Sequence, residues 1–236
     1  MMKEIQLFIL MLFAVTAPCT AQVATPSAYL NDIKTEMGKQ WPKNRTINLV
    51  FHGHSVPSGY WANHEVHTLE SYPYLLLKSL KTLYPYAVIN VITTSVGGEN
   101  AIKGEARFVQ DVLPHKPDVL FVDYALNDRA AGLETTKEAW EKMIQKALEA
   151  KVKVILLTPS PDTRSDIFAK DSKSLSAHAD QIRTLAAKYH IGLADPFTLF
   201  QEIQKKGQMA EYMSQVNHPN LKGHQVISGE LMKWFK

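Results

Sequence analysis

The chain has 236 residues, 45% hydrophobic and 21% charged, with 26 basic and 23 acidic side chains giving a formal charge of +3. This is ordinary globular composition, long enough for one sizeable core and one domain. The charges form no long run of either sign, which argues against a protein that tracks nucleic-acid phosphates.

The N-terminus differs in kind from the rest. Met1-Met2-Lys3 is short and basic, Leu7 to Ala17 is an apolar run, and Cys19-Thr20-Ala21 offers small residues before Gln22. That pattern predicts a secretory signal over residues 1–21, and hence a secreted or periplasmic protein. The apolar run is short for a bilayer, and no other stretch approaches about 18 apolar residues, so no membrane span is expected. Cys19 is the sole cysteine. As a lipoprotein acceptor it would anchor the chain, but Pro18 directly before it is awkward for that signal. Cleavage after Ala21 instead leaves a chain without thiols, whose stability rests on its core.

Residues 22–45 read as an N-terminal extension with Pro26 and Pro42, and a short helix is expected around Tyr29 to Met37. From Thr46 onward, strand-like and helix-like segments alternate. Ile47 to Phe51, Ala87 to Thr93, Val119 to Val122, Val152 to Leu157 and Ile191 to Ala194 are short β-branched or aliphatic runs. Between them lie helical stripes. Leu75, Leu76, Leu80 and Leu83 share a face opened near Pro73, a residue tolerated in a first turn. Trp140, Met143, Ile144, Ala147 and Leu148 form a second stripe, with Thr135 and Glu138 spaced as a capping box. Leu175, Ile182, Leu185, Ala186 and Tyr189 form a third, and Ile227, Leu231 and Trp234 a fourth. Such stripes pack on a sheet. The alternation predicts an α/β fold over residues 46–236, an α/β/α sandwich with about five parallel strands covered on both faces.

Parallel strands send their following loops to one edge, where ligands of open α/β sheets collect. The first strand ends in Phe51-His52-Gly53-His54-Ser55, delivering a hydroxyl to that edge. The second is followed by Val96-Gly97-Gly98-Glu99-Asn100, whose paired glycines let backbone N–H groups approach a ligand. The third runs into Tyr124-Ala125-Leu126-Asn127-Asp128-Arg129, and the fifth leads past Asp195 toward Gln215-Val216-Asn217-His218-Pro219-Asn220. A serine, a glycine N–H, an asparagine amide and a histidine at one edge are what acyl transfer requires. Ser55 would be the nucleophile and His218 its base; the N–H groups of Ser55 and Gly98 with the Asn127 amide would hold the oxyanion. Each residue also has an ordinary role open to it: Gly97-Gly98 as a tight turn, Asn127-Asp128 and Asn220 as helix caps. Tyr60, Trp61 and Tyr124 near the edge could stack on a sugar ring or simply pack.

These blocks resemble the SGNH hydrolases, also called GDSL-type esterases and lipases. The resemblance runs from Thr46 to the C-terminus through Gly53-His54-Ser55, Gly98, Asn127 in Leu-Asn-Asp, and His218 in Asn-His-Pro-Asn. It implies a three-layer flavodoxin-like fold and hydrolysis of carboxylic esters, commonly acetyl or other acyl groups on carbohydrates or lipids. It also implies no cofactor and no metal. Two departures stand out. The family pattern has Asp where this chain has His54, whose side chain should point away from that of Ser55 on an extended strand end. The family's triad acid stands three residues before the histidine, a position held here by Gln215, which cannot supply a charge to stabilise imidazolium. A dyad oriented by Gln215 or a backbone carbonyl, an acid from elsewhere such as Asp195 or Glu99, and a weakened enzyme all remain open.

Two other functions compete. His52-Gly53-His54 has the His-x-His spacing of metal-dependent hydrolases on (β/α)₈ barrels, though the chain has too few strands for eight βα units. Gln215 and His54 together suit a carbohydrate-binding protein on a degenerate hydrolase scaffold. The expected partner is a small-molecule or carbohydrate ester, with nucleic acid not expected. Oligomeric state is not legible.

Overall fold

The computed structural model describes residues 22–236; the expected signal sequence and Cys19 lie outside the described residues. Two short helices come first, α1 (Pro26–Tyr29) and α2 (Asn31–Met37). There follow β1 (Thr46–Gly53), α3 (Ser55–Ser58), α4 (Tyr72–Leu83), β2 (Val88–Thr93), α5 (Ala101–Asp111), β3 (Val119–Asp123), α6 (Leu133–Glu149) and β4 (Lys153–Leu157). The chain continues through α7 (Leu175–Lys188), β5 (Gly192–Ala194), α8 (Pro196–Lys205), β6 (Met213–Gln215), β7 (His218–Pro219) and α9 (Leu221–Met232).

Strands β1 to β5 form one parallel sheet in the order β2-β1-β3-β4-β5, as the alternation predicts. Period-two side-chain placement divides its core. Leu49 and Phe51 of β1, Val119 and Phe121 of β3, and Ile155 and Leu157 of β4 face one layer with Leu76 and Leu80 of α4, Phe197 of α8 and Leu231 of α9. Val50, Leu120, Val122, Val154 and Leu156 face the other layer, with Phe108, Trp140, Met143 and Ile182 of α5, α6 and α7. Strands buried on both faces need continuous apolar runs rather than alternation, and these central strands have them. No helix among the described residues is long and apolar enough to cross a membrane.

Residues 22–45 pack on the sandwich. Tyr29 Oη accepts from Val154 N at 3.0 Å, and its ring meets Trp234 edge-on at 5.8 Å. Ala24 N donates to Ile191 O, and Lys34 Nζ donates to Lys236 O. All of these contacts lie at the end of the sheet where strands β4 and β5 begin.

The expected capping box at Thr135 and Glu138 is not formed. The helix begins earlier, at Leu133 with Gly132 as its N-cap in a positive-φ conformation, and Thr135 lies inside it. Two members of the apolar stripes, Leu83 and Leu148, sit exposed near helix ends. Helix α5 carries no apolar stripe of the kind found elsewhere, because its buried face is only Ala101, Gly104 and Phe108. Gly104 is required by close approach: a Cβ there would lie 2.4 Å from the buried Tyr124 ring. Glycine in a helix interior costs about 1 kcal/mol relative to alanine, so contact with Tyr124 is what keeps it there. Gly104→Val should therefore lower stability by about 1–3 kcal/mol through overpacking, read as a fall in the thermal unfolding midpoint.

Candidate active site

Strand β1 ends at Gly53, paired with Asp123 at the end of β3. A Cβ at Gly53 would lie 2.6 Å from Asp123 O, so only glycine allows the two strand ends this approach. The chain then turns directly into α3, a single turn closed by Gly59 at φ 87°. Ser55 is its first residue and is buried, with 7% of its surface exposed. Tight turning at this point aims the hydroxyl out of the sheet edge toward the hairpin of β6 and β7.

That hairpin supplies the histidine. Strands β6 and β7 are antiparallel with a register irregularity between Met213 and Gln215, and Ser214 Oγ donates to His218 O across the turn. Asn220 then caps α9, its side chain accepting from Gly223 N, as the sequence allowed. His218 Nε2 lies 2.8 Å from Ser55 Oγ, a contact between residues 163 positions apart. On the ring's other side Gln215 Nε2 lies 2.5 Å from His218 Nδ1. Ser55, His218 and Gln215 are thus brought together in line. Burial pushes the His218 imidazole down to about 4, with nearby His54 acting in the same direction, so the ring is neutral at pH 7. Tyr60 packs nearly parallel to it, at 6.1 Å between centroids.

The other candidate orienting groups are engaged elsewhere. Asp195 caps α8, binds Thr158 Oγ1 at 2.8 Å and receives two hydrogen bonds from Arg183. Its place at the start of a helix beginning with Pro196 explains the commitment: it satisfies orphan N–H groups there. Glu99 is held by Arg107 Nε and Nη2 at 2.9 and 2.7 Å.

Gly98 and Asn127 occupy neighbouring loops. Gly98 has φ 78°, within the turn that precedes α5. Asn127 Nδ2 donates to Glu99 O at 2.9 Å, tying the loop after β3 to the loop after β2. Asp128 adds a second tie from the interior. Fully buried, it accepts from Ala101 N at 2.8 Å and from Trp140 Nε1 at 2.7 Å, and burial raises its carboxyl to about 6. The sequence offered Asn127-Asp128 as a possible helix cap; in the fold Asp128 anchors the first residue of α5 to the Asn127 segment. Arg129 binds Asp162 at 2.6 Å.

His54 stands where an acid is expected and has its own buried partners. Its Nδ1 accepts from Val56 N at 3.2 Å, capping α3, and its Nε2 faces Asp123 Oδ1 at 3.4 Å. Asp123 Oδ2 in turn accepts from Tyr72 Oη at 3.1 Å, and Tyr72 N donates to His224 Nδ1. His54 is therefore a capping and core residue turned away from the Ser55 proton. His52 points to the opposite face, with Nδ1 at Thr94 Oγ1 and Nε2 at Gly104 O and Tyr124 Oη. The His-x-His pair does not converge on one point, and among the described residues no group of three or more His, Cys, Asp or Glu is placed to hold a metal ion. Tyr124 is core, fully buried, which leaves only Tyr60 and Trp61 of the aromatic candidates at the edge.

A five-stranded parallel sheet in the order β2-β1-β3-β4-β5, with a serine and a histidine meeting at its carboxyl edge, defines the general class, a three-layer α/β/α sandwich. The GDSL-like Lipase/Acylhydrolase family profile matches residues 51–226, and the chain belongs to that family. Solved structures agree on the fold. A two-domain esterase active on acetylated mannans superposes with a TM-score of 0.73 at 19% identity, over 91% of this chain and 54% of that one. This chain therefore spans about half the length of that relative. A catalytic mutant of an acetylxylan esterase from Geobacillus stearothermophilus gives 0.70 at 18% identity, over 80% and 94% of the two chains. An acetyl xylan esterase gives 0.65 at 20% identity, over 78% and 98% of the two chains. Comparison with curated proteins gives no match.

The buried histidines set an acid limit. Burial pushes His52, His178 and His218 down to about 4 and His224 to about 3. In the unfolded chain they bind protons near pH 6.5, so their neutral burial contributes fully above that pH. This contribution is lost as pH falls through 6.5 toward 4 and 3. Asp128, raised to about 6, acts in the opposite sense, but it is one group against four. The thermal midpoint should fall steadily on acidification from pH 7 to pH 4; a midpoint constant over that range would contradict the buried neutral histidines.

Proposed function

We propose that the protein is a secreted serine ester hydrolase that removes acetyl or other short acyl groups from carbohydrate-type substrates. The observation that carries this reading is the 2.8 Å contact between Ser55 Oγ and His218 Nε2 at the carboxyl edge of the sheet. Ser55 Oγ attacks the ester carbonyl carbon while His218 takes the hydroxyl proton. Ser55 N–H, Gly98 N–H and the Asn127 amide would stabilise the oxyanion. Collapse expels the alcohol, which receives the proton from His218. Water then enters by the same base, releasing the acid and restoring Ser55. No cofactor is needed for this chemistry.

Two features support a sugar on the alcohol side. Tyr60, 36% exposed, flanks His218 and offers a ring face at the edge. A cleft of about 530 Å³ also opens beside Gln215, lined by Pro161, Asp162, Ile167, Met209 and Met213 among others. It adjoins the Ser55–His218 pair through Gln215, which supports its use by a bulky alcohol portion rather than by the acyl carbon. Acetyl xylan and mannan esterases among the structural relatives agree with that class. The leader-like residues 1–21 support export. A second reading, carbohydrate binding on a weakened scaffold, is favoured by a single observation: the residue behind His218 is an uncharged amide.

Ser55→Ala should reduce hydrolysis of p-nitrophenyl acetate by at least about 10³-fold, and Asn127→Ala by about 10²- to 10³-fold. A fluorophosphonate should label Ser55, and acetylated glycans should lose acetate. Glycan binding with hydrolysis no higher than that of Ser55→Ala would establish the binding reading instead.

A further inference from the structure

The Gln215 side chain has a second partner that fixes which way its amide faces. The nitrogen 2.5 Å from His218 Nδ1 also lies 3.2 Å from the carbonyl oxygen of Trp61. A peptide carbonyl only accepts hydrogen bonds, so the amide atom turned to it must be the NH₂ group. Turning the amide over would set its oxygen against the Trp61 oxygen, two acceptors in contact. Amide orientation is assigned from such networks, and here the Trp61 carbonyl sets it.

The Trp61 carbonyl is itself held in place. Trp61 N donates to Glu65 O at 2.8 Å, and the indole lies flat on the His67 ring, 4.4 Å between centroids and 7° between planes. Glu65 and Glu70 hold that ring through His67 Nε2 and Nδ1, at 2.8 and 3.1 Å.

An NH₂ group meets His218 Nδ1 favourably only if Nδ1 presents its lone pair. In the neutral ring the proton then sits on Nε2 and points at Ser55 Oγ. A serine can lose its proton only to a nitrogen lone pair, and this tautomer offers none at Nε2. We infer that Gln215, latched by the Trp61 carbonyl, holds His218 in the tautomer that cannot accept the Ser55 proton, so that the free protein is a resting form. Activation requires the amide to leave Trp61 and turn its oxygen to Nδ1, with the ring proton passing from Nε2 to Nδ1 through solvent. Gln215 is thus a positioning residue that restrains the base. This rests on the esterase reading; in serine proteases, changing the triad aspartate to asparagine leaves the histidine in the wrong tautomer and lowers turnover by about 10⁴.

Nitrogen-15 NMR of the His218 ring in the intact protein at pH 7 tests the assignment without turnover. The expected spectrum shows Nε2 protonated and Nδ1 unprotonated in the wild type, and the reverse in Gln215→Asp. That variant should also raise kcat on p-nitrophenyl acetate by at least about tenfold with KM changed far less, since the carboxylate accepts from Nδ1–H and stabilises imidazolium. A wild-type ring protonated on Nδ1 would overturn the inference. So would a reversed tautomer in Gln215→Asp with no gain in kcat while the wild type hydrolyses the ester. If neither protein hydrolyses esters yet the wild-type ring is protonated on Nε2, the tautomer assignment stands and the esterase reading fails.

Discussion

The site depends on how closely two parallel strand ends approach. β1 and β3 stay in register as far as Gly53 opposite Asp123, and the missing side chain at residue 53 lets them do so. That contact sets the level at which the chain leaves the sheet on both strands. Ser55 is thrown outward two residues later, and the loop bearing Asn127 departs beside it. Any larger residue at 53 would push the strands apart just before the turn that carries Ser55 to His218.

Beneath this edge the protein has built a polar floor instead of an apolar one. His54, Asp123, Tyr72 and His224 are linked there, and Asp128 binds two N–H groups nearby. Buried polar groups carry a high desolvation cost unless paired, and when paired they specify one arrangement of the chain. The pairing joins the end of β1 to the start of α4 and to α9, the helix that follows His218. The elements carrying Ser55 and His218 are therefore coupled through the core as well as across the solvent-facing contact. His224, pushed down to about 3 by burial, makes this floor sensitive to acid.

Much of the fold was legible because its physics is local. Five runs of β-branched and aliphatic residues became five parallel strands, and the apolar stripes marked four of the long helices. Helix α5 was missed because a helix that buries little besides Gly104 and Phe108 leaves no stripe, and its glycine answers to a distant tyrosine. Helix α8 had a readable start in Asp195-Pro196, but Asp195 was weighed as a partner for His218 when it is a cap. The Thr135–Glu138 spacing misled because Gly132, in a backbone conformation that favours glycine, starts the helix earlier. At the site, the order of short motifs put Ser55 and His218, which meet at 2.8 Å, at one edge, and the Gln215 substitution was visible. What the amide faces was not: the Trp61 carbonyl carries no side-chain signature and lies 154 residues away in sequence.

The placement of residues 22–45 bears on how the molecule can be attached to something else. Ala24 and Tyr29 dock where β4 and β5 begin, and the last residue, Lys236, lies against Lys34. Both ends of the described chain thus emerge at the pole opposite Ser55. A tether, tag or second module joined at either end would hold the protein by its back and leave the Ser55 edge facing outward.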